Sequence, residues 1–225
     1  EEEFLASPTR QPVLLKLRSG CRKDGALTFR TVETLHDNGA YTSWGATTPF
    51  VMMQTISSLY RVPHCLYHTK AVYTNNPYAG SFRGYGNLQA TFAVEQHMDM
   101  MAEAIGMDPL AFRLKNAQDA GEVTPQGMHF KSCGLKECLT TAAEASGFLA
   151  KSKTNAAESG KPGRFKRGTD LVVGARPRAG QDRQRLGVQH DRSAHPSRSM
   201  YLRTSASSGG PCSASRPSRN SPRWR

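Results

Sequence analysis

The segment Thr74–Gln89 has the residue types and spacing best suited to chemistry, with glycines at positions 80, 84 and 86. Glycine lets a backbone turn sharply and approach a ligand closely. Free N–H groups at the start of the helix expected after this segment suit an anion, or an oxygen bound to a metal. Arg83 and Tyr85 would project from the turned part. The segment is therefore a candidate loop for binding a cofactor or a substrate.

The glycine spacing alone does not identify a ligand. A dinucleotide-binding fingerprint needs a third glycine after Gly84 and Gly86, inside a strand–helix–strand unit with an acid downstream, and the sequence does not supply these. A phosphate-binding P-loop needs Gly-Lys-Ser/Thr, which does not follow either. An ordinary connection between a strand and a helix also carries such glycines. A purely structural role for this segment therefore stays open beside the functional one.

Hydrophobic periodicity predicts the elements that position this loop. Alternation of apolar and polar residues predicts strands at 13–18, 27–31 and 65–73. Asp24-Gly25 favours a tight turn, because both residues tolerate positive φ. The first two strands should therefore pair antiparallel.

Apolar spacing predicts three helices after the loop, at 88–105, 109–116 and 135–146. Asn87 is the expected N-cap of the first helix, and Gly106 its left-handed end. Asp108 is the expected N-cap of the second, with proline at its first position. The third should stop at Gly147. Strands followed by helices predict an α+β fold.

The net charge of +12 is confined to the end of the chain. Residues 1–150 carry 13 Lys/Arg and 14 Asp/Glu, a net of −1, whereas residues 151–225 carry 17 Lys/Arg and 4 Asp/Glu, a net of +13. The stretch 169–225 is mostly Arg, Ser, Pro, Gly and Ala, without helical or strand periodicity. It is predicted to be a disordered Arg/Ser/Pro-rich tail or the product of reading a gene out of frame. A nucleic-acid-binding arm is the functional alternative.

The whole stretch 81–116 is more specific than its glycines, and it resembles the molybdenum-binding large subunit of the xanthine dehydrogenase/aldehyde oxidase family. That family has a Phe-Arg-Gly-Phe-Gly-x-Pro-Gln loop, then a helix, a Gly-x-Asp-Pro turn and a segment ending in Arg-x-x-Asn. The matching residues here are Ser81-Phe-Arg-Gly-Tyr-Gly-Asn-Leu-Gln89 and Ile105-Gly-Met-Asp-Pro-Leu-Ala-Phe-Arg-Leu-Lys-Asn116. Upstream, Thr9-Arg-Gln-Pro12 resembles the family's Arg-His-Pro site. The resemblance covers roughly residues 1–148 and extends to 4-hydroxybenzoyl-CoA reductase alpha-like subunits.

The resemblance implies a molybdenum-dependent oxidoreductase that carries molybdopterin, either in its simple form or as the cytosine dinucleotide. Such enzymes hydroxylate aldehyde, purine or N-heteroaromatic substrates, or reduce an aromatic acyl-CoA. Iron–sulfur clusters and FAD would lie on partner subunits, and neither a membrane nor nucleic acid is an expected partner. Five scattered cysteines, with no long apolar run or export leader, predict the cytoplasm.

The resemblance also implies roles for five residues. Phe82, Arg83 and Gly84 would bind the cofactor, with the main chain of Arg83 over the molybdenum. Tyr85, where Phe is commoner in the family, would stack on a flat substrate, and its hydroxyl offers one hydrogen bond. Arg10 would orient the substrate and stabilise negative charge in the transition state. A solvated arginine at the start of a strand is the alternative for Arg10, since Gln11 replaces the family's histidine beside it.

The resemblance further implies a fragment that is inactive alone. The family's catalytic base is a glutamate in a late Gly-x-Gly-Glu segment, and neither that segment nor the upstream Gly-Gly-Phe-Gly-type loop occurs here, so no catalytic residue is assigned. The expected organisation is the C-terminal part of a first molybdopterin-binding domain at 1–117, the start of a second at 118–168, and the tail at 169–225. The alternative function is a non-catalytic binding protein that uses its basic tail on nucleic acid or acidic partners.

Other chemically capable residues fit structural roles better. Cys133 and Cys138 lack a second pair of ligands for zinc. Five further residues are expected to pack or to face solvent: His64, His68, Glu95, His97 and Asp99.

Overall fold

The computed structural model describes residues 1–159, so the expectations for residues 160–225, including the tail, lie outside the described residues. Its helices and strands are mixed along the chain, which confirms the α+β class. None of the described helices is long and apolar enough to cross a membrane. In chain order the elements are α1 (Glu2–Ala6), β1 (Val13–Cys21), β2 (Leu27–Asp37), a 3₁₀-helix (Trp44–Ala46), α2 (Thr48–Ser58), β3 (His64–Val72), α3 (Asn87–Ala104), α4 (Pro109–Asn116), α5 (Leu135–Ser146) and α6 (Phe148–Ser159).

Strands β1 and β2 form the predicted antiparallel pair, with Val13 opposite His36 and Gly20 opposite Phe29. The turn between them contains Gly25, whose φ of 88° lies in the region that favours glycine. The alternation read from the sequence is also present, because Leu15 and Leu17 are buried on one face of β1. This hairpin places the residues just before Val13 beside the candidate loop.

Strand β3 lies at the other edge of the sheet, parallel to β2. Parallel neighbours need a crossover connection, and helix α2 supplies it. Met52 and Ile56 of α2 are fully buried, which holds the helix on the inner face of the sheet. Helix α2 was not predicted from the sequence.

Helix α3 begins at Asn87, with Gly86 in the N-cap position, so the prediction of Asn87 as the N-cap was wrong by one residue. The amide oxygen of Asn87 instead accepts a hydrogen bond from the hydroxyl of Thr55, which ties the helix to α2. The next two helices follow their predictions. Asp108 caps α4 by accepting from the Ala111 N–H at 2.9 Å, and α5 ends at Gly147 in a left-handed conformation.

The core lies between the inner face of the sheet and helices α2, α3 and α4. It contains a buried polar group as well as apolar side chains: Glu95 of α3 pairs with Arg113 of α4 and accepts from the Tyr60 hydroxyl at 2.7 Å. Glu95 therefore makes a contact between helices, as expected, and His97 is buried. The largest buried apolar side chains are Leu17, Met52, Ile56, Leu59, Tyr60, Met98, Phe112, Leu135 and Leu139.

The outer face of the sheet is open in the part of the chain that the structure describes. Leu14 pairs with Leu35 across the strands, and Phe29 and Leu66 lie on the same face. These four side chains are between 38% and 65% exposed. The sheet therefore presents both apolar and charged side chains to solvent.

Candidate functional site

The candidate loop connects β3 to α3 and is bent by residues with positive φ. Arg83 has a φ of 36°, which is unusual for a residue with a side chain, and Gly84 and Gly86 have φ values of 82° and 106°. The Asn87 N–H donates to the Gly84 carbonyl at 2.8 Å, closing the turn at the start of the helix. The sequence therefore folds here as the expected sharp loop before a helix.

The three glycines serve different purposes. A Cβ at Gly80 would lie 2.8 Å from the Pro8 side chain, and one at Gly86 would lie 2.8 Å from the Thr48 carbonyl oxygen. Both glycines are thus needed for close packing within the chain rather than for approach to a ligand. A Cβ at Gly84 would meet only the Asn87 side chain, at 3.9 Å. Of the three, Gly84 alone leaves its backbone accessible to a bound molecule.

The structure brings Arg10 to the loop although the two are far apart in sequence. The Thr9 N–H donates to the Tyr78 carbonyl, and the Gly80 N–H donates back to the Thr9 carbonyl at 3.1 Å. This short parallel bridge fixes the chain just before Arg10. As a result, the predicted substrate residue lies beside the predicted cofactor loop.

Arg10 contacts the loop through its guanidinium. Its Nη2 donates to the Arg83 carbonyl at 3.4 Å, and its Cζ lies 5.1 Å from the centre of the Phe82 ring. The Arg83 guanidinium lies 5.7 Å from the same ring. Among the described residues, neither arginine forms a salt bridge with an acid. Two positive groups therefore flank one aromatic ring, and their charge is available to a ligand.

The side chain of Gln11 points away from the loop, into a buried polar network. Its Nε2 donates to the Gly45 carbonyl at 3.3 Å and to Asn38 Oδ1 at 3.1 Å. The Gly45 carbonyl can only accept, so it must face Nε2, and this places Gln11 Oε1 3.1 Å from His36 Nδ1. Because Oε1 can only accept, the imidazole proton must be on Nδ1. Thr34 then donates to His36 Nε2 at 2.9 Å. Burial lowers the pKa of His36 to about 4, which keeps this imidazole neutral.

Tyr85 lies beside an aromatic residue that the sequence analysis did not single out. The ring of Trp44 meets the ring of Tyr85 edge to face, with centroids 6.4 Å apart and planes at 69°. Tyr85 is half-buried, whereas Trp44 is 59% exposed. Trp44 could have been noticed as one of only two tryptophans in the chain, but its partner is set by the tertiary fold.

A pocket of about 410 Å³ opens between the start of β1 and the first turns of α3. Arg10 and Gln89 form its polar end, and its wall is otherwise largely apolar. Leu14, Leu88 and Phe92 are each about half exposed along that wall. The site therefore combines positive charge with apolar surface.

The other chemically capable residues lie elsewhere. Cys133 Sγ donates to the Gln118 carbonyl at 3.2 Å, and Cys138 lies in α5. His64 and His68 are exposed on β3. Within residues 1–159, no group of three or more His, Cys, Asp or Glu is arranged to hold a metal ion. The exposed main chain at Arg83 and Gly84, next to the two guanidinium groups, leaves room for a bound molecule.

Comparison with known proteins places this geometry in a family. The sequence model of the molybdopterin cofactor-binding domain matches residues 1–117. The chain belongs to this family. The match includes Arg10, the loop and α3, so the site described above lies within the matched residues.

Members of the molybdopterin cofactor-binding family resemble this chain over most of its described length. This chain is 40% identical over 142 residues to the xanthine dehydrogenase molybdenum-binding subunit of Escherichia coli O157:H7, covering 62% of this chain and 19% of that protein. It is 39% identical over 148 residues to the nicotinate dehydrogenase large molybdopterin subunit of Eubacterium barkeri, covering 64% of this chain and 34% of that protein. The chain thus spans about a fifth to a third of these relatives.

A solved structure supports the same fold. The aldehyde oxidoreductase of Desulfovibrio gigas superposes with a TM-score of 0.60 at 27% identity, covering 70% of this chain and 17% of that one. The expected resemblance to the xanthine dehydrogenase/aldehyde oxidase type, and the partial cofactor-binding domain, are therefore confirmed.

Proposed function

We propose that this chain is part of the large subunit of a molybdenum hydroxylase. The parent enzyme would hydroxylate an aldehyde, a purine or an N-heteroaromatic compound, or reduce an aromatic acyl-CoA. The observation that carries the proposal is the meeting of Arg10 with the Phe82–Arg83 loop, in a chain whose family binds molybdopterin. The names of the relatives include xanthine, nicotinate and aldehyde substrates, which supports the reaction class without selecting a substrate.

The roles proposed for the site come from the family resemblance, and its geometry supports some of them. Phe82, Arg83 and Gly84 would contact the cofactor, because the loop is exposed there and Gly84 has open space beside it. Tyr85 would lie against a flat substrate. Arg10 would orient the substrate and stabilise developing negative charge, since its guanidinium is not neutralised by a described acid.

Molybdopterin, in its simple form or as the cytosine dinucleotide, would supply the redox chemistry and hold the metal. The residues of this chain would bind and orient, and they would not supply the catalytic base. Iron–sulfur clusters and FAD on partner subunits would accept the electrons. We propose a cytoplasmic location on the basis of the few, scattered cysteines.

The proposed organisation places the C-terminal part of one molybdopterin-binding domain at 1–117, the start of a second at 118–168, and the basic tail at 169–225. Alone, the chain would be inactive. The alternative of a non-catalytic protein that binds nucleic acid or acidic partners through the tail is not favoured by the comparisons, since the similarity lies with molybdenum enzymes. Translating the other two frames of the gene from about codon 169 distinguishes the two hypotheses. A glycine-rich continuation with a late Gly-x-Gly-Glu supports the hydroxylase subunit.

A graft tests the function directly. Residues 1–117 replace the matching segment of the E. coli subunit, and the molybdenum content and xanthine oxidation of the purified complex are measured. We expect an active chimera, and Arg10→Met should lower its activity at least tenfold without loss of molybdenum. Arg18→Met, which removes an exposed arginine of the following strand β1, is the matched control. A chimera that retains full activity with Arg10→Met contradicts the proposed role of Arg10.

A second measurement tests the proposal that the chain alone is inactive. The purified 225-residue protein should contain no stoichiometric molybdenum. A content near one atom per chain would overturn this part of the proposal.

A further inference from the structure

Gln89, in the first turn of α3, joins the two halves of the site. Its Oε1 accepts from the Gly86 N–H at 3.0 Å, and the Arg10 guanidinium donates to the same oxygen at 3.4 Å. Its Nε2 donates to the Gln11 carbonyl at 3.3 Å. One side-chain amide thus connects the end of the loop, the main chain before β1, and the charged group of Arg10.

The chemistry of the three partners fixes the orientation of this amide. The Gly86 N–H and the Arg10 guanidinium can only donate, so both require an oxygen. The Gln11 carbonyl can only accept, so it requires an N–H. Both ends of the amide are therefore used, and a residue that offers only acceptors or only donors cannot make all three contacts.

We propose that Gln89 is a positioning residue that holds the Arg10 guanidinium in register with the Phe82–Arg83 loop. Arg10 also contacts the face of Phe82 and donates to the Arg83 carbonyl at 3.4 Å, the same length as its bond to Gln89. Bonds of this length are individually weak, so the position of the guanidinium depends on these contacts acting together. A long, flexible arginine held in this way depends on its few neighbours for a fixed position. Gln89 also ties the chain at Gln11 to the same point, which fixes the base of the Arg10 side chain.

A neutral amide has an advantage over a carboxylate in this position. A carboxylate would hold a guanidinium more strongly, but it would neutralise the charge that a substrate or a transition state would use. The amide of Gln89 orients Arg10 and leaves its positive charge intact. The consequence for catalysis rests on the proposed function, whereas the geometric role of Gln89 does not.

The geometric role is tested by NMR on the 225-residue chain. In Gln89→Leu, the Gly86 amide should exchange with solvent at least tenfold faster, and the Arg10 Nε–H signal should shift. In Gln89→Glu, which keeps the acceptor, Gly86 should stay protected while the contact to the Gln11 carbonyl is lost. Gln96→Leu, an exposed position on the same helix, should change neither signal. An Arg10 signal unchanged in Gln89→Leu would reduce Gln89 to a helix cap and overturn the proposal.

The functional consequence is tested in the graft described above. Gln89→Leu should lower kcat/KM at least tenfold at unchanged molybdenum content. The double variant Arg10→Met/Gln89→Leu should be no worse than Arg10→Met alone, because the two residues act as a unit. Additive losses would contradict the positioning role. An inactive chimera with Gln89 intact would count against the proposed function, and the NMR result would still decide the role of Gln89.

Discussion

Arg113 and Glu95 form a buried ion pair between α4 and α3, with Nε 2.9 Å from Oε2 and neither side chain more than 3% exposed. Arg113 also donates to the Glu95 carbonyl oxygen at 3.2 Å and to the carboxylate of Asp99. The Tyr60 hydroxyl donates a hydrogen bond to the other carboxylate oxygen of Glu95, Oε1. Burial raises the pKa of Glu95, and Arg113 and Tyr60 oppose that shift. The pair anchors the helix that carries Gln89 to the rest of the core.

Removing one partner of this pair should destabilise the fold strongly. Arg113→Met leaves the Glu95 carboxylate buried without its cation, which costs about 3–5 kcal/mol. Lys115→Met is the control, because the Lys115–Asp24 pair, 3.2 Å apart, is exposed and solvent screens the attraction in such a pair, so its removal should change stability little. Urea unfolding followed by circular dichroism measures both. Equal losses for the two variants would contradict the dominance of the buried pair.

Acid should unfold this protein through two buried histidines. Burial lowers the pKa of both His36 and His97 to about 4, and the nearby Arg30 adds to the shift for His97. Below pH 6.5 the unfolded chain takes up protons that the folded chain does not, so stability falls from about pH 6.5 down to about pH 4. At about 1.4 kcal/mol per pKa unit, each histidine contributes up to about 3 kcal/mol of this loss.

The variant His97→Leu isolates one of these contributions. Among the described residues neither ring nitrogen of His97 has a hydrogen-bond partner, so leucine should preserve or raise stability at pH 7. The loss in unfolding free energy between pH 7 and pH 4.5 should become clearly smaller. A pH profile identical to that of the unmodified protein would argue against His97 as a source of acid sensitivity.

Two glycines of the loop should respond differently to alanine. Gly86→Ala adds a Cβ 2.8 Å from the Thr48 carbonyl oxygen at a φ of 106°, and strain plus collision should cost more than about 2 kcal/mol. Gly84→Ala meets open space at a φ of 82°, so only backbone strain of about 1 kcal/mol applies. Thermal unfolding of the two variants measures the difference, and a reversed order would show that the packing is not as described.

The buried amide of Gln11 offers a further test. Gln11→Leu leaves the Gly45 carbonyl, Asn38 and His36 without their partner, and unsatisfied buried groups cost about 1–3 kcal/mol each. We therefore expect a destabilisation of at least about 2 kcal/mol in urea unfolding. A change below 0.5 kcal/mol, roughly the range of an ordinary surface substitution, would be incompatible with the network.

Local signals in the sequence were sufficient for several elements. Asp24-Gly25 and the alternation around it predicted the β1–β2 hairpin, because turn chemistry and burial agree there. Asp108 and Gly147 predicted the limits of α4 and α5 for the same reason. In each case the residues that decide the conformation lie within a few positions of one another.

Helix α2 could not be predicted in this way. Its buried positions include Thr48, Thr55, Ser57 and Ser58 beside Met52 and Ile56, so buried and polar residues do not separate into two faces. Without α2 there was no reason to expect β3 to lie parallel to β2. The sequence predicted the strands but not the parallel pairing of β3 with β2.

The family resemblance predicted the residues of the site, but it did not predict the contacts between them. Arg10 and Arg83 are 73 positions apart, and the pattern of residues within either segment does not show that their atoms meet. Trp44 and Gln89 take their roles from neighbours that the tertiary fold supplies. Two of the loop glycines are explained by packing, which sequence alone did not separate from ligand binding.

The outer face of the sheet, uncovered among residues 1–159, should affect the behaviour of this protein at high concentration. Leu14 lies opposite Leu35, whereas Leu66 lies opposite Thr31, and the pair Glu33 and His68 separates the two exposed apolar patches. Two copies can bury both patches by stacking face to face. We therefore expect self-association to rise with concentration, with light scattering as the measure. Leu66→Lys, on β3 at the opposite edge of the sheet from the pocket residue Leu14, should reduce this scattering.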